Sequence, residues 1–228
     1  MRQRAKPWAD QELDTNPLYI ENPYSRAGHW REVFGNCNPI HLEIGCGKGR
    51  FVVENALANP HVNYIAMEKQ EQIICMALRH ARDVGLPQNL RFLCQDAEEL
   101  TDFFSNSPEN AELSRIYINF CDPWRARGKW RKRRLTHRNF LQVYKNLMGN
   151  AGEVHFKTDD AGLFRFSIAE FEETGWQLSN VTFDLHNDAK DGKSGFDSNI
   201  MTEYEERFAA TGKPICRLEA RIAMEVDE

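Results

Sequence analysis

Residues 39–50 read PIHLEIGCGKGR, and this stretch decides the fold. The apolar run His41–Ile44 predicts a short strand, and three glycines at alternate positions follow it directly. Glycine lets the backbone turn tightly and approach a ligand closely. The next segment, Arg50–Ala58, has a helical pattern, and the N–H groups at a helix N-terminus favour an anionic group such as a carboxylate. The stretch therefore predicts a strand, a ligand-binding turn and a helix.

The same alternation of strands and helices continues along the chain. Short apolar runs predict strands, and segments with helical periodicity lie between them. Because βαβ crossovers are right-handed, we expect an α/β fold with a mostly parallel twisted sheet and helices on both faces. The predicted strands are His41–Ile44, Val62–Met67, Leu90–Leu93, Arg115–Phe120, Glu153–Phe156, Trp176–Phe183 and Cys216–Ile222. The predicted helices are Arg50–Ala58, Gln70–Val84, Ala97–Phe104, Thr136–Met148 and Gly162–Glu173, which leaves 1–36, 105–113 and 185–200 as irregular regions.

The length and composition fit one globular domain. The chain has 228 residues, of which 41% are hydrophobic and 28% charged, a composition that excludes collagen, coiled-coil and disordered classes. No apolar run reaches the ~18 residues that span a bilayer, and the basic N-terminus has no apolar stretch after it, as a secretory signal would. The six cysteines form no CxxC pair and lie near no His at metal-ligand spacing, so neither disulfides nor a metal site is expected. We predict a cytoplasmic protein with a partly flexible N-terminal tail, 1–36, and a single domain, 37–228.

The positive charge is concentrated in one segment. Residues 125–138 read RARGKWRKRRLTHR and hold eight of the 29 Lys and Arg, but none of the 34 Asp and Glu. A cationic patch on a chain of net charge −5 is typical of a protein that docks a polyanion, although a basic run by itself can also be a solvated surface. Its cations are Arg125, Arg127, Lys129, Arg131, Lys132, Arg133, Arg134 and Arg138.

Polar groups follow several predicted strands at the edge where an open α/β sheet binds ligands. The glycine turn has the spacing GxGxG (Gly45, Gly47, Gly49), whereas the dinucleotide fingerprint requires a glycine at position 50, which is Arg50 here. Glu68 ends the second strand and can accept hydrogen bonds from two ribose hydroxyls. Asp96 ends the third, within reach of an adenine amino group, although it also fits a helix N-cap.

The fourth predicted strand leads into the turn NFCDPW. Asp122 follows this strand at the same edge of the sheet, where it can contact a bound ligand. Pro123 stiffens the turn, and Trp124 offers a flat face for a base or a cation.

The acids at 43, 68 and 96 and the glycine turn together resemble the S-adenosylmethionine pocket of Rossmann-like class I methyltransferases. The segments IGCGKG, FCDPW, KRRLTHRNFL, FKTDDAGLFRFS and TEYEERFAATGKPI, with the opening MRQRAKPW, are similar to the bacterial tRNA (guanine-N7)-methyltransferase family over nearly the whole chain. The resemblance implies an antiparallel last strand, Cys216–Ile222. It also implies methyl transfer from S-adenosyl-L-methionine to N7 of a guanosine in tRNA, at position 46 of the variable loop.

The resemblance also assigns roles to individual residues. Asp122 is the expected catalytic residue. Cofactor binding is expected from Glu43, Gly45, Gly47, Gly49, Glu68, Asp96 and Asp122. Substrate binding is expected from Asp159, Thr202, Glu203, Tyr204 and Glu205. One departure is Ala126, where the family usually has a basic residue four positions after the Asp; Arg125 or Arg127 takes over that contact, and the sequence does not choose between them.

The expected chemistry agrees with these residue types. Guanine N7 carries a lone pair and no proton, so the reaction needs alignment more than a strong base, and alignment can contribute roughly 7–11 kcal/mol. A carboxylate at Asp122 or Asp159 would favour the developing positive charge on the purine and would accept from guanine N1–H and N2. Phosphates would be held by Lys129, Arg131, Lys132, Arg133 and Arg134. Two alternatives remain: a methyltransferase of small molecules, and a non-catalytic RNA-binding protein on the same fold.

Overall fold

The computed structural model describes residues 7–125, 128–193, 195 and 199–222. Its strands are β1 (Ile40–Ile44), β2 (Asn63–Met67), β3 (Leu90–Leu93), β4 (Leu113–Asn119), β5 (Glu153–Thr158), β6 (Trp176–Thr182) and β7 (Cys216–Ile222). Its helices are α1 (Pro7–Thr15), α2 (Trp30–Phe34), α3 (Arg50–Ala58), α4 (Glu71–Asp83), α5 (Leu100–Phe103), α6 (Arg138–Met148), α7 (Ala161–Glu173), α8 (Leu185–Lys190) and α9 (Glu203–Ala209). Within these ranges, no helix has the length and apolar character that crossing a membrane would require.

The seven strands form one sheet in the order β3-β2-β1-β4-β5-β7-β6. The first five strands pair in parallel, whereas β7 runs antiparallel to both β5 and β6. The order reverses at β1, whose neighbours are β2 and β4. This switch point opens a crevice beyond the carboxyl ends of the strands. The predicted α/β architecture with an antiparallel last strand is confirmed.

Side chains alternate across the strands, and this alternation builds two cores. On one side of β1, Leu42 and Ile44 join a cluster that includes Leu141 of α6 and Phe164 of α7. On the other side of the sheet, α3 and α4 pack over β2 and β3 in a second cluster. Both helical layers thus hold the strands rigidly, and the loops at their carboxyl ends are supported from two sides.

Residues 7–36, which the sequence pattern leaves without elements, contain two helices. Trp30 of α2 is fully buried, and its indole Nε1 donates to the Phe103 carbonyl at 2.7 Å. Leu18 is also buried, and the backbone N–H of Phe92 donates to its carbonyl at 2.8 Å. The pattern misses these elements because contacts distant in sequence hold them. The division of domains at residue 36 stays a prediction.

Two other predicted regions differ from the structure in detail. The sequence pattern predicts a loop over 185–200, but this region begins with α8, whose N-cap Asp184 accepts from the Asn187 N–H. The predicted helix Ala97–Phe104 is divided into a 3₁₀ turn, Ala97–Glu99, and the short α5. Asp184 and Asp96 satisfy the backbone at the start of α8 and of the 3₁₀ turn, and periodicity does not show such caps.

Candidate active site

A pocket of about 230 Å³ lies at the carboxyl ends of the parallel strands. Residues from four strand ends line it, together with part of the basic segment. The lining includes Gly45, Glu68, Asp96, Asn119, Asp122, Trp124 and Arg133. The glycine turn and the basic segment therefore share one opening, as the sequence predicts for a donor site beside a polyanion site.

The glycine turn is fixed to the end of β2. The N–H groups of Gly45 and Cys46 donate to the Met67 carbonyl at 2.8 and 2.9 Å, and Gly47 N–H donates to Glu68 Oε2 at 3.3 Å. Gly45 lines the pocket, whereas Gly47 is not part of the lining. The turn thus orients the Glu68 carboxylate at the pocket edge.

Gly49 has a packing role in the structure. It is the N-cap of α3 with a φ of 84°, and a Cβ there would lie 2.8 Å from the Ala77 Cβ of α4. Real Cβ atoms do not approach that closely, so glycine at this position allows α3 and α4 to pack. Gly49, predicted to bind the cofactor, is not among the residues that line the pocket.

Glu68 and Asp96 face the pocket from the ends of β2 and β3. Glu68 Oε1 accepts from the Gln70 N–H at 3.0 Å, which holds the carboxylate in place. Asp96 caps the 3₁₀ turn that follows it, because its Oδ1 accepts from the Glu98 N–H at 3.1 Å. The capping interpretation of Asp96 is confirmed, and its position in the pocket lining is compatible with the ligand role as well.

Glu43 lies in β1, in the middle of the sheet, and it is not among the residues that line the pocket. It is only 2% exposed, Oε1 accepts from Asn119 Nδ2 at 2.9 Å, and Oε2 has no hydrogen-bond partner among the described residues. Burial raises the pKa of the Glu43 carboxyl to about 8, although the hydrogen bond from Asn119 and the charge of Lys157 oppose this shift. A buried carboxyl oxygen without a partner is the kind of group that a cationic or hydrogen-bonding ligand satisfies.

The turn after β4 is strained. Phe120 and Trp124 have φ angles of 54° and 23°, a region that residues other than glycine rarely adopt. Asp122, between them, is exposed and lines the pocket. Arg134 holds this turn, because its guanidinium donates to the Pro123 carbonyl at 3.0 Å and to the Trp124 carbonyl at 2.8 Å. Strain of this kind persists where surrounding contacts impose it, and it is concentrated at functional sites.

The basic segment divides into structural and exposed cations. Arg134 is 5% exposed, and Arg131 donates to Glu170 Oε1 at 2.7 Å, so both are engaged within the protein. Lys129, Lys132 and Arg133 are exposed. Among the five residues expected to contact phosphates, Arg131 is exposed as well but is paired with Glu170, and Arg134 is buried in a structural role.

Two indoles extend the pocket wall into the basic segment. The rings of Trp124 and Trp130 stack with centroids 5.6 Å apart and planes 9° apart. The Arg133 guanidinium lies 4.4 Å from the Trp124 centroid, and Lys129 Nζ lies 5.4 Å from that of Trp130. Arg125 is exposed beside Asp122, whereas Arg127 and the neighbouring Ala126 lie outside the described residues. The structure therefore leaves the choice between the two arginines open.

The second group of predicted substrate residues lies beside the pocket rather than in its lining. Asp159 follows β5 and forms an ion pair with Lys213. Thr202 caps α9, and its Oγ1 accepts from the Glu205 N–H at 3.0 Å. Tyr204 is 43% exposed, and its ring lies 5.0 Å from that of Phe120, next to the strained turn.

Within this group, Glu203 is partly exposed at the first position of α9, but Glu205 is fully buried. Glu205 Oε2 accepts from Lys157 Nζ at 2.6 Å. The carboxylate of Glu205 is thus held inside the protein, which is different from the direct substrate contact expected of it.

Sequence reasoning missed two residues that support the site. Asn119 holds Glu43 and lines the pocket, and Lys157 holds Glu205. Both lie near strand ends, and a polar residue that ends an otherwise apolar run was the available signal. No three His, Cys, Asp or Glu side chains in the described part of the chain come together in a way that could hold a metal ion.

Comparisons with known proteins agree with this geometry. Residues 37–218 match a family model described as "Putative methyltransferase". A tRNA (guanine-N(7)-)-methyltransferase of Listeria monocytogenes serovar 1/2a is 48% identical over 222 residues, which cover 97% of this chain and 98% of that protein. A protein of the same name from Listeria welshimeri serovar 6b is 47% identical over the same shares. The chain belongs to the tRNA (guanine-N7)-methyltransferase family.

Solved structures with lower identity share the fold. One described as an antibiotic-related methyltransferase superposes with a TM-score of 0.60 at 16% identity, covering 90% of this chain and 96% of the other. The 16S rRNA methyltransferase KamB gives a TM-score of 0.60 at 13% identity, covering 85% and 92%. These likenesses establish the class I methyltransferase architecture for the chain.

Proposed function

We propose that this protein transfers a methyl group from S-adenosyl-L-methionine to N7 of a guanosine in tRNA. One observation carries the proposal: a single pocket combines the glycine turn, the acids Glu68, Asp96 and Asp122, and the cation Arg133. Membership of a family whose members are named for this activity gives the substrate class. The proposed target is the guanosine at position 46 of the variable loop, which the motifs imply.

The residues present fit the methyl donor. Glu68 and Asp96 are half-exposed acceptors in the pocket lining. Glu43 adds a buried carboxyl whose Oε2 has no hydrogen-bond partner in the described part of the chain. Glu68 and Asp96 would hold the nucleoside part, and Gly45 would let the backbone approach it. Bound there, S-adenosyl-L-methionine supplies an activated methyl group on a positively charged sulfur.

The chain's own part in the reaction is to position the base. Asp122 projects into the pocket from a strained turn, so its carboxylate is held ready to accept from the donor edge of guanine. A carboxylate there also stabilises the positive charge that develops on the purine ring. Adenine has one donor and one acceptor on the matching edge, and it would leave the carboxylate poorly paired. Asp159 would add a second acceptor once the tRNA binds Lys213 in its place and so frees the Asp159 carboxylate.

The exposed cations give the site its preference for a polyanion. Arg133 lines the same pocket as Asp122, and Lys129 and Lys132 are exposed in the same short segment, Gly128–Arg133. These three cations would bind phosphates of the tRNA backbone. Trp124 and Trp130 offer aromatic faces within this cationic rim. Phosphate contacts of this kind orient the RNA without reading its sequence.

The experiment is transfer of isotopically labelled methyl groups from S-adenosyl-L-methionine to unmodified tRNA, with nucleoside analysis of the product. We expect 7-methylguanosine, and we expect its loss on a matched transcript in which guanosine 46 is replaced by adenosine. A parallel panel of small molecules without RNA tests the main alternative. Label that enters only the small molecules, or another methylated nucleoside, would refute the proposal.

A further inference from the structure

The ammonium group of Lys157 is buried at the carboxyl end of β5. The residue is 5% exposed, and Nζ donates to Glu205 Oε2 at 2.6 Å, to Asn199 Oδ1 at 3.1 Å and to the Ile200 carbonyl at 3.1 Å. An ammonium group has three N–H donors, so all of them are used. All three acceptors belong to the segment 199–205.

This segment carries predicted substrate residues to the edge of the pocket. Tyr204 packs its ring 5.0 Å from that of Phe120, which opens the strained turn containing Asp122. The backbone of Lys157 joins the same turn, since the Phe120 N–H donates to its carbonyl at 2.9 Å. One residue therefore fixes the turn through its main chain and the segment 199–205 through its side chain.

The pairing of Lys157 with Glu205 is closed to solvent. Side chains of the two residues are 6% and 0% exposed, and the second carboxylate oxygen of Glu205 accepts from Asn199 Nδ2 at 2.6 Å. The Lys157 side chain also lies over the Phe51 ring, with Nζ 5.0 Å from its centroid. Buried ion pairs add little stability compared with apolar residues of similar volume, so a role in fixing one conformation is the better explanation of this pair.

We propose that Lys157 is a positioning residue for the tRNA substrate. It holds segment 199–205 so that Thr202, Glu203 and Tyr204 face the RNA beside Asp122. Glu205 acts through this buried contact and does not touch the RNA. The inference rests on the proposed function and adds to it a residue that determines where the RNA-binding segment lies.

The test uses the full-length protein with Lys157→Met, Glu205→Gln and the double variant. The double variant removes both charges together, so it avoids the unpaired buried charge that can unfold a single variant. Lys145→Met is the matched control, because Lys145 Nζ donates at 2.6 Å to the Thr174 carbonyl on the α6–α7 side of the molecule. Circular dichroism establishes that each variant is folded.

Three readouts separate positioning from general destabilisation. We expect kcat/KM for tRNA to fall by roughly 10²-fold in the double variant, as misplacement of a binding element can produce. Affinity for S-adenosylhomocysteine, measured by calorimetry without RNA, should be unchanged. Amide hydrogen exchange should become faster in 199–209 and stay as in the wild type across β1 to β4. Lys145→Met should leave kcat/KM for tRNA unchanged.

The outcomes also separate this inference from the proposed function. A folded double variant with wild-type kcat/KM for tRNA, or with unchanged exchange in 199–209, overturns the role of Lys157 while the methyltransferase assignment stands. An equal fall in kcat/KM in the Lys145→Met variant would likewise overturn it, because the effect would then be one of stability. A wild-type protein that methylates no tRNA overturns the proposed function, and the role of Lys157 with it.

Discussion

Replacing Glu43 by Gln should stabilise the ligand-free protein and weaken binding of the donor. Glu43 is 2% exposed, and burial raises the pKa of its carboxyl to about 8 from an ordinary value of 4.5. Between about pH 4.5 and pH 8, the folded protein therefore keeps a proton on Glu43 that the unfolded chain has already released. Gln has nearly the same shape, can still accept from Asn119 and never ionises. The variant isolates the free-energy cost of this carboxyl.

The magnitude follows from the linkage between proton binding and folding. The full pKa difference corresponds to about 5 kcal/mol, of which about 3 kcal/mol is expressed at pH 7, where the folded carboxyl is still mostly protonated. Stability from this group is fully present below pH 4.5 and is lost as pH rises towards 8. The difference in unfolding free energy between Glu43→Gln and wild type should thus grow by about 2–3 kcal/mol between pH 5 and pH 7.

Urea denaturation at half-unit pH intervals measures this difference directly, because titrations of all other groups cancel between the two proteins. Asn119→Ala is the companion variant: it keeps the carboxyl and removes a hydrogen bond that lowers its pKa, so the pH dependence should be retained and should extend to higher pH. Calorimetry with S-adenosylhomocysteine should show binding to Glu43→Gln that is weaker by about tenfold or more, since a cationic group of the ligand favours the ionised form of Glu43 and Gln cannot ionise. A stability difference that is independent of pH would refute the reasoning about Glu43.

Further predictions concern the turn, the basic segment and Glu170 of α7. Asp122→Asn should lower single-turnover methylation by roughly 10²-fold or more, with unchanged tRNA affinity; an equal drop in affinity would contradict its catalytic role. Arg134→Ala should destabilise the protein by about 1–3 kcal/mol in thermal unfolding. The double variant Lys129→Ser, Lys132→Ser should leave the melting temperature unchanged. It should reduce the slope of log affinity for tRNA against log salt concentration by about 0.7–0.9 for each phosphate that the variant no longer neutralises. Glu170, 1% exposed, would have a raised pKa from burial alone, but hydrogen bonds from arginines lower it to about 2. Its stabilisation should be present above pH 4.5 and disappear as pH falls towards 2, so the urea midpoints of Glu170→Gln and wild type should converge in acid.

The strand ends show how far sequence reasoning reaches. Glycines at alternate positions after β1 and acids after β2 and β3 predict the pocket, because parallel strands bring their carboxyl ends to one edge. Periodicity also places β3 and α3 with the bounds that the structure has. Patterns of this kind are local, and a local pattern is sufficient to predict an element that buries one defined face.

The basic segment shows where that reasoning stops. Arg131, Arg133 and Arg134 look equivalent in the sequence, yet one binds a buried glutamate, one lies over an indole and one holds the strained turn. Their partners lie in other elements, so no local pattern distinguishes the three. The same holds for Gly49, whose requirement comes from the approach of α4.

The sequence by itself determined the class of fold, the edge of the sheet that carries the pocket and the residue types gathered there. It could do so because turns, helix periodicity and strand alternation depend on neighbours within a few residues. Only the tertiary structure decided which charges face solvent and which are buried, as the fates of Glu43, Arg134 and Glu205 show. The sequence specifies which residues can carry a charge. Whether a charged group is desolvated depends on the residues that pack around it, and these come from distant parts of the chain.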